Sequence, residues 1–432
     1  MDVIPHRSLG PFRIGSNTAN VIKYIQQNGM TLRSNSLSYD PSNPLDSDLT
    51  LTLHNVGLRL RFDPVSQRLK LIEVYDVSKC AVAYAGIPLS GKGVAPTCSI
   101  VYRTFGPTFP GTCDTKRNVY MLQYPGVSFM FPLGSKGQKL IDRADQKGVP
   151  ELPLEFETGG SPVASRIFIH HGPHVAEMGL PRLGLNSVYF EPVVGYLGRG
   201  LYFVQRKVFI GFDSHVQDCL TDLGPPQRVF VKGLDKMRIH FPNWPMEHQP
   251  PDSSEGHELL PVSVVGSHHY RDYFFNYFDL GFDLLFDGCT HRVAKIVLHT
   301  NFPGQHLFNR YRKSNFRIVV DRARKPPLQP SWHNPVQADL GVIDDLNRVV
   351  SYHSTGRSKE SCATVGPDCK WDRISNCFGS GGTPMVNSGP RKENPFGSTL
   401  FYAYNGILFE VMSNHHLKSA TLFPQTIRDP CT

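Results

Sequence analysis

A segment near the start of this chain recurs about 220 residues later with its spacing intact. Gly57-Leu58-Arg59-Leu60-Arg61-Phe62-Asp63, followed by Arg68-Leu69 and Leu71-Ile72, returns as Gly281-Phe282-Asp283-Leu284-Leu285-Phe286-Asp287, followed by Arg292-Val293 and Lys295-Ile296. Equal intervals from Gly to Phe-Asp to Arg mark a supersecondary unit used twice, because chance likeness in composition does not preserve spacing. Leu58, Leu60 and Phe62, like Phe282, Leu284 and Phe286, alternate with period two, which places them on one face of a strand. Between the paired strands stand Asp63-Pro64-Val65-Ser66 and Asp287-Gly288-Cys289-Thr290. An opening Asp caps such a turn with its carboxylate, so both aspartates read as structural and not catalytic.

Each copy has the same prelude. Phe12-Arg13-Ile14-Gly15 leads to Ser16 or Asn17 as a helix N-cap, then to Ala19, Val21, Ile22 and Ile25 at helical spacing, with Gly29 as the stop. Val208-Phe209-Ile210-Gly211 leads to Asp213 or Ser214 as cap, then to Val216, Cys219, Leu220 and Leu223, ending at Gly224-Pro225. Weaker echoes occur at Gly126-Val127-Ser128-Phe129-Met130-Phe131 and at Gly406-Ile407-Leu408-Phe409-Glu410-Val411, the latter preceded by the helix-like Trp371-Asp372-Arg373-Ile374. The expected fold is therefore α+β and sheet-rich, made of repeated units that each combine a helix with an antiparallel β-meander. Two halves are expected, residues 1–204 with the first repeat and 205–432 with the second. Pro, Ser, Gly, His and Glu accumulate in residues 242–268, 325–368 and 379–395, which read as loops or linkers.

Lys and Arg exceed Asp and Glu by 45 to 37, a mild excess scattered through strand-like segments, so a nucleic-acid partner is not expected. One basic cluster stands out: Arg310, Arg312, Lys313, Arg317, Arg322, Arg324 and Lys325 against Asp321 alone. It reads either as a solvated strand edge or as a face for an anionic membrane surface. The nine cysteines contain no C-x-x-C pair, and Cys362, Cys369 and Cys377 match no common zinc spacing. Reduced, buried thiols in a cytoplasmic protein are expected, with no transmembrane segment, since no apolar run approaches a membrane span.

Gly86-Ile87-Pro88-Leu89-Ser90-Gly91-Lys92 imitates a phosphate-binding loop, but Gly93 stands where the magnesium-holding hydroxyl is required, and Pro96 opposes a helix directly behind it. The pairs His170-His171, His268-His269 and His415-His416 read as surface histidines in loops, because neighbours on a strand point to opposite faces. No catalytic residue, metal site or cofactor is expected. The densest feature is Asp272-Tyr273-Phe274-Phe275-Asn276-Tyr277-Phe278. Alternation buries Tyr273, Phe275 and Tyr277 on one face and presents Phe274 and Phe278 on the other. A strand covered on both sides is one reading; a partner surface anchored on Tyr273, Phe274 and Phe278 is the other.

Several blocks carry a resemblance. Arg7-Ser8-Leu9-Gly10, the run from Gln67 to Val74, the aromatic run Asp272 to Phe278, Leu298-His299-Thr300-Asn301-Phe302-Pro303-Gly304, Asn394-Pro395-Phe396-Gly397-Ser398-Thr399 and Phe409-Glu410-Val411-Met412 resemble the phagosome assembly factor 1 family, in the expected order. The resemblance implies a non-enzymatic autophagy factor of the cytoplasm. It implies a WD-repeat partner of the breast carcinoma-amplified sequence 3 type and recruitment to the phagophore assembly site through phosphoinositides. A peripheral phosphoinositide-binding role near the trans-Golgi network is the alternative. No active-site residues come with the family.

Overall fold

The computed structural model describes residues 1–29, 35–109, 111–114, 116–133, 152–155, 160–182, 191–232, 271–320, 364–379, 382–387 and 397–424. The chain divides into two compact units, Met1–Ser187 with Phe302–Arg310, and Val188–Asn301 with Tyr311–Thr432. Both are sheet-rich, and the described residues hold four α-helices.

The first unit opens with a small antiparallel sheet of β1 (Val3–Ile4), β2 (Ser8–Leu9) and β3 (Phe12–Arg13). Helix α1 (Thr18–Gln27) follows, its first turn capped by Asn17, whose side chain accepts from the Ala19 amide at 3.0 Å. A meander comes next: β4 (Asn35–Ser38), β5 (Leu49–Leu53), β6 (Leu58–Phe62) and β7 (Leu69–Val74). The hairpin β8 (Val82–Tyr84) and β9 (Ile87–Ser90) leads to α2 (Cys98–Phe105), then to β10 (Thr112–Asp114), β11 (Val119–Tyr124), β12 (Val127–Pro132) and β13 (Arg166–His170). The open eight-stranded sheet runs β10-β11-β12-β13-β7-β6-β5-β4, antiparallel throughout.

Alternation assigns its two faces. Leu58, Leu60 and Phe62 share one buried cluster with Val21 and Ile25 of α1 and Cys98 and Val101 of α2. Each such side chain, fully buried, contributes about 1.5–3 kcal/mol relative to exposure. Arg59 and Arg61 point to the opposite face. Gly57 makes the turn before β6 with φ +72°, and a Cβ there would stand 2.6 Å from the Asp76 carbonyl oxygen, so only glycine fits.

The second unit begins with β14 (Pro192–Tyr196), β15 (Gly200–Phe203) and β16 (Val208–Gly211), then α3 (Val216–Leu223). Its main sheet starts with β17 (Arg228–Val231), β18 (Tyr273–Tyr277), β19 (Phe282–Phe286) and β20 (Val293–His299). After β21 (Asn315–Val319) and β22 (Thr364–Val365) come α4 (Trp371–Phe378) and a last group, β23 (Met385–Asn387), β24 (Thr399–Tyr404), β25 (Ile407–Val411) and β26 (Leu417–Leu422). The order is β17-β18-β19-β20-β26-β25-β24-β23, again open and antiparallel. A five-stranded sheet, β16-β15-β14-β21-β22, contains the parallel pair β14 with β21.

Both Phe-Asp turns do what their sequence implies. Asp63 Oδ2 accepts from the Ser66 amide and hydroxyl, each at 2.7 Å. Asp287 Oδ1 accepts from the Cys289 amide at 3.0 Å and from the Thr290 amide and hydroxyl at 2.7 and 2.9 Å. Burial pushes the Asp287 carboxyl up, but the donors from Thr290 and Cys289 outweigh it and hold its pKa below the usual carboxylate value.

Four expectations need correction. The cap of α3 is His215, not Asp213 or Ser214: its ring accepts from the Gln217 amide at 3.3 Å while Asp218 accepts from the His215 amide at 2.9 Å, a reciprocal box. Ser214 is instead used by the Gly211 amide. Strand β23 lies inside a stretch expected to be loop, where Pro and Gly hid a three-residue edge strand. The histidine pairs are not confined to the surface: His170 is fully buried on β13, and His416 is buried too. The thiols of Cys80, Cys98 and Cys219 are buried, but Cys289 is exposed on its turn. The loop imitating a phosphate site is β9, and α2 starts only at Cys98. Residues 242–268, His268, His269 and most of 325–368 lie outside the described residues.

Candidate interaction site

The outer face of the second unit's main sheet, opposite the helices, concentrates the chemistry. On β19, Phe282, Leu284 and Phe286 face the core, so Asp283 must face outward. It does not reach water, being 6% exposed. Asn276 Nδ2 on β18 donates to Asp283 Oδ1 at 2.8 Å, and the Tyr311 hydroxyl donates to Oδ2 at 2.9 Å. His299 Nε2 on β20 lies 2.9 Å from the same Oδ2, and the His299 ring stacks on Tyr311 with centroids 3.8 Å apart. A carboxylate only accepts, so the proton of that contact sits on Nε2. Among the described residues the carboxylate thus has three donors, and Asn276 Nδ2 also lies 3.2 Å from the Tyr311 hydroxyl.

Beside this network runs an aromatic and cationic row. Phe230 on β17 pairs with Phe274 on β18, Phe274 with Leu285 on β19, and Leu285 with Lys295 on β20. The Phe230 and Phe274 rings are 6.4 Å apart. Arg228 stands over Phe230 at 5.6 Å, and Lys295 Nζ over Phe274 at 5.5 Å. Burial lowers the Lys295 pKa, and Lys232 lowers it further, against the pull of Asp272. Strand β17 is the sheet edge, with Val229, Phe230 and Val231 exposed by 54, 46 and 52%.

The aromatic run divides as alternation requires. Phe275 and Tyr277 are buried, and half-buried Tyr273 packs against the same core, stacked on Phe286 at 5.4 Å. Phe274 lies on the outer face. Phe278 follows the strand and meets Tyr311 edge-on at 4.9 Å. The hairpin turn and the basic segment therefore touch: the Arg312 amide donates to the Phe278 carbonyl at 2.8 Å.

Of the basic cluster, Arg310 is exposed. Arg312 is buried with Nε 3.1 Å from Asp279 Oδ1, and Lys313 pairs with Asp368. Arg317 is half-buried on β21. Arg322, Arg324 and Lys325 lie outside the described residues.

Two other buried acids occupy outer sheet faces. In the first unit Glu73, with a fully buried side chain, receives Arg59 at 3.1 Å, Arg61 at 3.5 Å and Arg166 at 2.6 Å. In the second, Glu410 receives Thr399, Lys418 and Ser419 at 2.8, 2.8 and 3.0 Å. Charges in the middle of alternating strands were the available signal for Asp283, Glu73 and Glu410, whereas nothing marked His299 and Tyr311 as the partners of Asp283. Among the described residues no group of three or more His, Cys, Asp or Glu is placed to hold a metal ion. Among them, too, no helix is long and apolar enough to cross a membrane.

Residues 8–423 match the family described as phagosome assembly factor 1. The chain is 33% identical over 431 residues to a PHAF1 protein of Arabidopsis thaliana, covering 98% of this chain and 92% of that one. It is 31% identical over 455 residues to a PHAF1 protein of Drosophila melanogaster, covering 98 and 94%. With a PHAF1 protein of Caenorhabditis elegans it shares 29% identity over 441 residues, covering 95 and 90%. No solved structure matches the chain.

Proposed function

The chain belongs to the phagosome assembly factor 1 family, and from that premise we propose that it is a non-enzymatic adaptor of autophagosome formation. In this reading it works in the cytoplasm with a WD-repeat partner of the breast carcinoma-amplified sequence 3 type. The observation that carries the reading is the outer-face row of exposed Phe230 on the edge β17 and half-buried Phe274 and Lys295 beside it. Tyr273, Phe274 and Phe278 belong to the partner surface, Phe274 as its outward anchor and the other two as supports, since aromatic anchors dominate interface energetics. The fold is read as four copies of a helix and meander grouped in halves 1–204 and 205–432; the matching strand orders of the two eight-stranded sheets favour the duplication, not the boundary at 204.

Co-purification of the full-length tagged chain from nutrient-starved cells tests the adaptor reading. It should recover a WD-repeat protein, and Phe274→Ala should reduce that recovery severalfold. Recovery of no stable partner sinks it.

A second reading, peripheral contact with phosphoinositide membranes during autophagy or Golgi traffic, rests on the basic cluster and is favoured by the exposed Arg310. Because Arg310 is the exposed member of the cluster among the described residues, neutralising it is the informative change. Flotation with phosphoinositide vesicles that is unchanged by Arg310→Ala removes the assignment.

A further inference from the structure

We propose that the β17 edge, Arg228–Val231, accepts an extended acidic segment of a partner protein as an added antiparallel or parallel strand. The proposal deepens the adaptor reading, on which it rests for the existence of a protein partner.

Three observations carry it. First, β17 is an edge strand with three successive large apolar side chains half exposed, Val229 and Val231 on one face and Phe230 on the other. Edges of this kind invite strand addition, and proteins normally blunt them with charge, proline or a bulge. Second, the edge has main-chain groups to offer. The Lys232 amide donates inward to the Asp272 carbonyl at 2.9 Å, so by the two-residue alternation of an antiparallel ladder, Val229 and Val231 direct their N–H and C=O groups away from β18. An added strand would take those bonds, as in other complexes formed by β-augmentation.

Third, charge selects the occupant. Arg228 and Lys295 flank the two rings, and Lys232 lies near enough to Lys295 to depress its pKa, against the opposite pull of Asp272. Asp272 is itself engaged, accepting from the Gly288 amide at 3.1 Å. The excess is positive. A second copy of this chain is the wrong partner: antiparallel pairing of two β17 strands about Phe230 would set Arg228 opposite Lys232, and like charges directly opposite destabilise a sheet. A strand that alternates carboxylates with β-branched residues satisfies both requirements, placing its acids over Arg228, Lys232 and Lys295 and its apolar side chains beside Val229 and Val231.

The test uses the purified full-length chain and three fluorescein-labelled peptides: one alternating glutamate with valine, one alternating lysine with valine, and the first with N-methylated valines. The acidic peptide should bind at least tenfold more tightly than either of the others. Val231→Pro deletes an outward N–H that β18 does not use, a position where proline is tolerated, and should weaken binding at least tenfold with the circular dichroism spectrum unchanged. Should that variant unfold, the double charge reversal Arg228→Glu with Lys295→Glu leaves the backbone alone, and must invert the preference toward the lysine peptide.

Equal binding of acidic and lysine peptides, or indifference to both the proline and the charge reversal, overturns the proposal. So does a dimer that dissociates in Val231→Pro, which assigns the edge to a second copy. Binding to phosphatidylserine vesicles that is lost on charge reversal but kept in Val231→Pro, with no peptide binding, assigns the patch to lipid and also overturns it. Undiminished co-purification of a partner with Val231→Pro removes the edge proposal while leaving the adaptor reading standing; peptide binding without any cellular partner does the reverse.

Discussion

Arg68 donates its Nε–H to the carbonyl oxygen of Gly15 at 3.0 Å, tying the second residue after the Phe-Asp turn to the loop that precedes α1. Arg292 does the same in the second unit, from Nη1 to the carbonyl of Asp213 before α3. Helix and hairpin are also joined through the backbone, since the Thr18 and Val216 amides donate to the carbonyls of Gln67 and His291 at 3.0 and 2.9 Å. Gln67 and His291 adopt left-handed φ of 54° and 52° to present those carbonyls. The Arg after each turn thus locks a helix start to a strand start.

Burial separates the two arginines. Arg68 is 7% exposed and also donates to the Pro181 carbonyl at 2.9 Å, whereas Arg292 is exposed. Arg68→Ala leaves two partly buried carbonyls without this donor and should cost about 1–3 kcal/mol. Arg292→Ala should cost under about 1 kcal/mol, because water replaces the lost donor. Urea unfolding followed by circular dichroism measures both; equal losses would contradict the burial argument.

His170 supplies a pH dependence. Burial, followed by His6 and His174, lowers its pKa to about 4, below an unfolded value of 6.5. The folded state therefore binds fewer protons than the unfolded state between those values. Its contribution to stability is fully present above pH 6.5 and is lost as the pH falls through 4, by about 3 kcal/mol in all. His170→Gln keeps a partner for Ser128, which lies 3.0 Å from Nε2, and should flatten the slope of stability against pH between 7 and 4.

Tyr311→Phe deletes one of three donors to the buried Asp283 carboxylate while retaining the ring stacked on His299. Loss of a charge-assisted hydrogen bond predicts a cost of about 1.5–3 kcal/mol. Tyr311→Leu should cost more, because it also removes the ring. Thermal melts of the two variants should rank in that order.

The thiols should react in the order their burial dictates. Burial pushes Cys80 and Cys98 up to about 11, and burial with the nearby Asp218 and Asp222 pushes Cys219 to about 12, so all three stay protonated and shielded at neutral pH. Cys289, exposed on its turn, should be alkylated before Cys80, Cys98 and Cys219 by iodoacetamide, and peptide mapping by mass spectrometry reads the order. Early labelling of Cys219 would mean that α3 opens readily in the native protein.

Local chemistry was legible in the chain wherever a single segment decides the outcome. Alternation put Leu58, Leu60 and Phe62 on the core face, the turn aspartates took their expected amides, and Asn17 capped α1. What remained hidden depends on segments distant in sequence. Nothing near Tyr311 announces that its hydroxyl meets Asp283, 28 residues earlier, nor does the run Arg228–Val231 announce that it ends a sheet. His215 displaced the expected caps because a ring nitrogen can accept as a serine oxygen does, and Asp218 three residues on completes the reciprocal pair. The basic cluster looked uniform as sequence, yet Arg312 is buried against Asp279 and Lys313 pairs with Asp368, while Arg310 is exposed.

The middle of each large sheet is a seam between strands remote in the chain. Ile296 sits opposite Leu422, and Ile169 opposite Ile72. During synthesis β20 thus emerges long before β26, with Ile296 and Leu298 in a strand whose far side has no neighbour yet. Such late closure slows folding and leaves apolar edges open in the interval. The second unit cannot complete its main sheet until Leu417–Leu422 has emerged, so a nascent chain that stalls before Leu417 leaves the β20 edge unpaired and open to chaperones.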